Sequence, residues 1–573
     1  GPLMEREMND QAERDLSRAE LVSLPVVVLL LLVVFGGIVA AGLPLAVALV
    51  GIASTFLVLY GFSQVTDVSV YAVQVTTMLG LGLAVDYALL MVTRFREELA
   101  AGAGDAVEAA VRRTTATAGR TVLVSGLTVS AGLAGLLVFP DPFLRGIGMA
   151  GAVVVAIDMV AALTLLPALL RLFGHRIRPA RRDAREGRVF ARAARLVGRR
   201  PVVVLVLLTA ALAVLAAPAA GLRLSGGDAR SLPESSASRR LYEQVRDNFG
   251  AQYAADPITV LARPAPGTAN SAAETASFRD ALTRIPGALD VTGRQAADGT
   301  AVFTVRVDLP KGPAADGAPA QRAVREIRDL RAAHPGLDVR VTGPAARLVD
   351  YHAMLRERLP YAAAVIVLAT LALLFAFTGS VLLPLKAVVS NVLAVGAALG
   401  VVVWLFQDGH FGQGLGAVDA TAPVLIAAIA FGLSMDYEVF LLSRIGEEWR
   451  AGNDARGAVA RGLQRSGRVV TGAALLLVVV FAAFTTGGFS PVRQIGLGLA
   501  LAIVLDATVV RMLAVPAAMT LLGRAAWWAP GPLRRAHARY GLAEGGAPAD
   551  VPAHVADEMR AADREPVRAG TPS

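Results

Sequence analysis

Two aspartates, Asp86 and Asp436, stand inside otherwise apolar segments, and each is followed directly by a tyrosine, Tyr87 and Tyr437. The segments read GLGLAVDYALLMVTRFREEL and AFGLSMDYEVFLLSRIGEEW. Their Asp, Tyr, Arg and paired Glu positions are all displaced by 350 residues. Arg94 or Arg444 lies eight residues beyond the aspartate and marks a membrane edge. At ~1.5 Å rise per helical residue, each carboxyl is ~12 Å inside that edge, near the middle of a ~30 Å core. An ionised carboxylate there costs roughly 2.5–3.5 kcal/mol on insertion scales, so it needs a partner or a proton. A buried acid that can release its proton, beside a phenol that can donate to the ionised form, is the chemistry of a proton relay. The plainer alternative is polar glue between helices.

A second pair of intramembrane acids repeats in the same way. IGMAGAVVVAIDMV carries Asp158 and IGLGLALAIVLDATV carries Asp506. Asp506 has Arg511 five residues later, the material for a local ion pair, whereas Leu163 stands at the matching position after Asp158. Thr121, Ser125, Thr128 and Ser130 either extend a polar path or bond their own helix backbone. Gly80, Gly82, Gly126, Gly132, Gly432, Gly496 and Gly498 are read as close-packing positions. Glu97, Glu98, Glu447 and Glu448 are read as solvated or paired with neighbouring arginines.

These groups need a membrane bundle to hold them. The chain has 573 residues, 55% of them hydrophobic, with a mean hydropathy of +0.56, too apolar for a soluble protein. Its net charge of +9 is nearly all arginine, since Lys311 and Lys386 are the only lysines. The arginines cluster at helix ends, where membrane topology explains them, so nucleic acid is not an expected partner. There is no cysteine, and the six histidines form no ligand-spaced cluster, so no metal site is expected. Neither lysine completes a phosphate-binding loop, and no GxSxG, HExxH or CxxC element occurs. The chain is therefore read as no enzyme and as needing no cofactor; a proton gradient is its expected energy source.

Eleven membrane helices are predicted, near 21–41, 43–63, 70–93, 120–140, 145–171, 201–220, 359–378, 382–406, 420–443, 469–487 and 491–523. The loop 171–200 holds eleven arginines and 444–468 holds six, which puts both in the cytoplasm with the 94–120 loop. Residues 1–20 and 221–358 then lie outside. The polar segment 221–358 reads strand 258–263, helix 273–285, strand 289–292, strand 301–309, helix 319–333 and strand 337–342, a split β-α-β-β-α-β unit. The fold class is an all-α polytopic membrane bundle with an internal pseudo-twofold repeat and one α+β ferredoxin-like, porter-type extracytoplasmic domain. Its parts are an outer end at 1–20, a first five-helix repeat at 21–172, an Arg-rich cytoplasmic loop at 173–200 and a helix at 201–220. The α+β domain at 221–358, a second five-helix repeat at 359–523 and a disordered cytoplasmic tail at 524–573 follow. Gly1-Pro2 aligns with Gly343-Pro344 in this repeat, and on that symmetry a further leading helix and outer domain would precede residue 1.

The paired GLxxDY motifs followed by [ST]RxxEE resemble the mycobacterial-membrane-protein-large (MMPL) family of the resistance–nodulation–division superfamily, over roughly residues 1–523. The resemblance implies an inner-membrane, multi-pass exporter that uses proton-motive force to move lipids, glycolipids or other hydrophobic small molecules outward. It also implies that the two Asp-Tyr pairs face each other, Asp86 bonding Tyr437 and Asp436 bonding Tyr87. Relative to that family, the first helix and first periplasmic domain are lacking here. The expected partners are the lipid-like cargo, membrane lipids and protons, with a homo-oligomer or accessory membrane proteins also open. Competing readings are a non-transporting membrane component (a degenerate partner, lipid sensor or scaffold) and a hydrophobic drug efflux pump.

Overall fold

The computed structural model describes residues 2–64, 70–101, 106–180, 188–265, 271–309, 317–410 and 415–541. Most of the expected tail, and the residues around Lys311, lie outside the described residues. The first half consists of α1 (Pro2–Phe35), α2 (Ile38–Ser63), α3 (Val70–Ala101), α4 (Ala106–Ala134) and α5 (Pro142–Phe173). The short amphipathic α6 (Arg188–Val197) and the apolar α7 (Pro201–Ala216) follow. Beyond the outer domain come α12 (Pro344–Thr378), α13 (Leu382–Val402), α14 (Ala422–Arg450) and α15 (Ala455–Ala483). The chain then runs through α16 (Ser490–Leu505), a π-helical stretch at Asp506–Ala514, α17 (Val515–Leu522) and α18 (Gly531–Tyr540). Among the described residues, eleven helices are long and apolar enough to cross a membrane.

The two halves pack alike. α4 lies against α14 as α15 lies against α3, and α1 packs on α15 and α2 as α12 packs on α4 and α13. The centre is a square of α3, α4, α14 and α15, with the two Asp-Tyr helices on one diagonal. Those helices are the most enclosed: 83% of the apolar window of each is buried, against 6% for the helix that includes α7. The halves meet closely where α4 crosses α14, because a Cβ on Gly132 would stand only 3.5 Å from the Cα of Gly432. Both residues act as the close-packing positions their small size suggested. The remaining glycines of that group serve likewise; a Cβ on Gly82 would come within 2.6 Å of Leu477, and one on Gly126 within 2.7 Å of Met159.

Several helix boundaries differ from those predicted. The first break falls at Gly36, whose φ of +66° only glycine adopts without strain, rather than near residue 42. Its counterpart Gly379, at φ +67°, ends α12 in the second half. α1 and α12 also extend far beyond their apolar cores; at 34 and 35 residues they are each about 50 Å long. The polarity of residues 3–20 marks where hydrocarbon would end. The helix continues because Glu, Arg, Ala and Leu there favour it.

The outer domain holds β1 (Leu224–Ser225), α8 (Ala237–Phe249), α9 (Ala251–Ala254), β2 (Ile258–Pro264), α10 (Ser271–Thr283), β3 (Ala288–Gln295), β4 (Ala301–Val307), α11 (Ala318–Asp329) and β5 (Leu337–Thr342). The four long strands form an antiparallel sheet in the order β3-β4-β2-β5, the ferredoxin-like arrangement. Its core joins Val260, Val305 and Val339 to Phe278 and Ile327 from the two covering helices. A parallel pairing of β1 with β6 (Val418–Asp419) ties the domain's start to the α13–α14 connection. The split unit matches the sequence reading; α8, α9 and the β1–β6 tie are additions to it.

Candidate functional site

Asp86 and Tyr87 lie mid-way along α3, and Asp436 and Tyr437 mid-way along α14, all buried at the centre of the square. The Asp86 carboxyl faces the Tyr437 hydroxyl, and Tyr87 lies within electrostatic reach of Asp436. The two carboxyls also act on each other through space. Of the two crossed contacts implied by the family resemblance, Asp86 lies within hydrogen-bonding reach of the Tyr437 hydroxyl, whereas Tyr87 and Asp436 act on each other through space.

Asp506 and Arg511 form the local ion pair that their spacing suggested. Arg511 Nη2 lies 2.5 Å from Asp506 Oδ2, and Nε donates to the same oxygen at 2.7 Å. On an α-helix, side chains five residues apart diverge by about 140°. The π-helical stretch Asp506–Ala514 widens the turn and brings them onto one face. Ser434 Oγ donates to Asp506 Oδ1 at 2.7 Å, and Arg511 donates to the Ser434 carbonyl, which ties the pair to α14. The guanidinium also lies 5.0 Å from the centre of the Tyr437 ring and within electrostatic reach of Asp86 and Asp436.

Asp158, the first-half counterpart of Asp506, is wholly buried without a hydrogen bond to either carboxyl oxygen. Of the candidate hydroxyls, Thr128 bonds its own helix at Val124 and Ser130 reaches the Ala152 carbonyl at 3.4 Å. Ser125 adjoins the Tyr87 hydroxyl.

Lys386 and Glu438 were not anticipated as a site. Lys386 Nζ lies 2.5 Å from Glu438 Oε1, and both side chains are nearly enclosed between α13 and α14. The signal was present: Glu438 follows Asp-Tyr where Ala88 stands in the first half, and Lys386 is the single lysine in an apolar helix. At the far end of the Asp-Tyr helices the expected Glu–Arg pairs form, and they cross between halves. Arg444 Nη2 lies 2.8 Å from Glu97, and Arg94 Nη1 lies 4.0 Å from Glu447. Glu98 and Glu448 hold Arg113 and Arg465 at 2.7 and 2.5 Å.

At the end of the bundle that carries the α+β domain, two cavities adjoin at Phe143, Gly226 and Thr421. One, about 200 Å³, is walled mainly by apolar groups such as Met78, Ile147, Leu425, Ile429, Phe484 and Phe489. The other, about 530 Å³, presents Asp141, Arg347, Asp350 and Tyr351. Ile429 is seven residues from Asp436 on α14, about 10 Å along the helix.

The model of the MMPL family matches residues 1–204 and 231–544. A membrane protein of Streptomyces coelicolor is 57% identical over 96% of this chain and 76% of its own length. The trehalose monomycolate exporter MmpL3 of Mycobacterium tuberculosis is 33% identical over 98% of this chain and 62% of its own. The mycolic acid-containing lipids exporter MmpL11 of Mycolicibacterium smegmatis is 34% identical over 90% and 56%. The chain belongs to the MMPL family. It is a multi-pass protein of the bacterial cell membrane, related to transporters rather than enzymes, and it spans about three fifths of the mycobacterial relatives' length. The translocon-associated membrane protein SecDF of Thermus thermophilus shares the fold, with a TM-score of 0.56 and 18% identity over 89% of this chain and 62% of that one.

Proposed function

We propose that this protein exports a lipid-like amphiphile across the cell membrane, driven by protons that load and leave the Asp86–Asp436 site. The observation that carries the reading is the charge balance at the centre of the square. Arg511 is already held by Asp506, while the enclosed carboxyls of Asp86 and Asp436 act on each other and, among the described residues, form no ion pair of their own. Two carboxylates sharing one such site cannot both stay ionised, so protons must enter and leave as the site changes. The phenols of Tyr437 and Tyr87 stand ready to donate to whichever carboxylate is ionised.

The adjoining cavities support an amphiphilic cargo, with an apolar chamber for a chain and a wider one bearing Asp141, Arg347 and Asp350 for a head. The names of the mycobacterial relatives support the lipid class. Proton entry about 10 Å along α14 from the apolar chamber could then tilt α14 against α4 and reshape that chamber. The test is export in cells expressing Asp86→Asn or Asp436→Asn at matched levels. Asn keeps nearly the same volume and hydrogen-bonding reach but carries no exchangeable charge. Both variants should insert normally and lose export, with Tyr87→Phe and Tyr437→Phe milder. Wild-type export from both Asn variants would overturn the reading. Photo-crosslinking should recover amphiphiles; recovery of only hydrophilic species would overturn the lipid class.

A further inference from the structure

Asp158 occupies a place that the crossed Asp-Tyr pairs do not use. Its carboxyl points from α5 towards α2 and α3, into a notch made by two glycines. A side-chain carbon on Gly51 would collide with Oδ1, and one on Gly80 would lie 3.9 Å from Oδ2. The residue is wholly enclosed, and both oxygens lack a hydrogen bond. The corresponding carboxylate in the second half, Asp506, is neutralised by Arg511 on the same helix. Five residues beyond Asp158 the chain offers Leu163 instead.

The groups that face this notch supply no positive charge. α3 presents Tyr87, which feels the charge of Asp158, and Asp86 beside it. α2 presents Thr55, whose hydroxyl donates to the Gly51 carbonyl. Among the described residues no lysine or arginine pairs with Asp158. A lone carboxylate walled in by hydrocarbon and glycine is not sustainable; a carboxylic acid is.

We propose that Asp158 carries a proton in this conformation and is a third exchange site, the proton doing in the first half what Arg511 does in the second. The proposal rests on the proton-driven reading above. Exchange requires the notch between Gly51 and Gly80 to open to water: the Asp158 O–H bond then breaks, a water molecule takes the proton as hydronium, and the carboxylate left behind is hydrated; the reverse transfer restores the acid as the notch closes. The halves are then unequal: one inner acid is compensated by a fixed cation and the other by an exchangeable proton.

Infrared spectroscopy of the reconstituted, full-length protein tests this without relying on transport. At neutral pH one component of the protonated-carboxylic-acid carbonyl stretch should be lost in Asp158→Asn and kept in Asp506→Asn, Asp86→Asn and Asp436→Asn. Gly51→Ala, which removes no acid, should shift that band by displacing the carboxyl. The band should also bleach when the pH gradient across the vesicles is reversed. A spectrum unchanged by Asp158→Asn would mean an ionised Asp158 and overturn the proposal. A band that disappears in Asp158→Asn but never responds to the gradient would overturn the exchange role, leaving an inert buried acid. If Asp86→Asn and Asp436→Asn exported normally while the Asp158 band behaved as expected, the central relay would fall and not this assignment.

Discussion

Replacing Arg511 by methionine should be among the most damaging single changes in the bundle. Arg511 is fully enclosed and donates two hydrogen bonds to Asp506, which has only Ser434 besides. Removing the cation leaves a buried carboxylate with one hydroxyl for company, a loss of roughly 3–5 kcal/mol, or about two to four decades in the folded-to-unfolded ratio. Removing both charges in Asp506→Leu/Arg511→Met takes that orphan away. The remaining loss is that of the Arg511–Tyr437 stacking and the Ser434 hydrogen bonds, together on the order of 1–2 kcal/mol. The double variant should therefore be more stable than Arg511→Met alone, with a coupling energy of about 2–3 kcal/mol in a double-mutant cycle. Reversible unfolding in mixed micelles supplies the four stabilities. Additive losses, with the double variant worse than either single one, would refute the ion-pair argument.

Three further outcomes follow from other parts of the molecule. Glu97→Arg sets two cations together where Arg444 now meets Glu97, and should cost about 1 kcal/mol; the swap Glu97→Arg/Arg444→Glu should recover it, measured by the same unfolding assay. His537 on α18 is partly buried near the Gly379 turn, 5.9 Å from the Phe375 ring, and this burial, aided by the nearby Arg450 cation, holds it below the ordinary histidine value. The docked helix thus binds fewer protons than the free one, so docking is secure above about pH 6.5 and weakens as pH falls through that value; protease cleavage near α18 should rise at pH 5.5 and not in His537→Phe. Cysteines placed at Ser235 and Ala451, both exposed in a chain without native cysteine, should label oppositely with an impermeant maleimide in intact cells, the first only.

Much of this architecture was legible because it depends on composition and repetition. The 350-residue displacement of the Asp-Tyr segments locates both halves, and the arginine loops divide one face from the other. The split sheet was readable from alternation in strands such as 301–307, where every second residue from Ala301 to Val307 is buried. What escaped has physical reasons. The two-residue strands β1 and β6 lie 194 positions apart (418 − 224) and have no local signature. Amphipathic α8 sits in polar sequence that reads equally well as a loop. The π-helical stretch was invisible, although it lets Asp506 and Arg511 share a face. The Lys386–Glu438 pair needs two helices to be brought together, which spacing along one helix cannot express. The crossed Asp-Tyr pairs were placed opposite each other by family resemblance. Their place on the diagonal of the square could be seen only in three dimensions.

The most direct measurement is proton movement itself. Purified protein in liposomes, given an imposed pH gradient and cargo-like lipid, should acidify or alkalinise the lumen at a rate tied to lipid transfer. Asp86→Asn and Asp436→Asn should each remove at least nine tenths of that flux while the circular dichroism and melting profile stay those of the wild type. Proton flux at the wild-type rate in both variants would contradict the account at its centre.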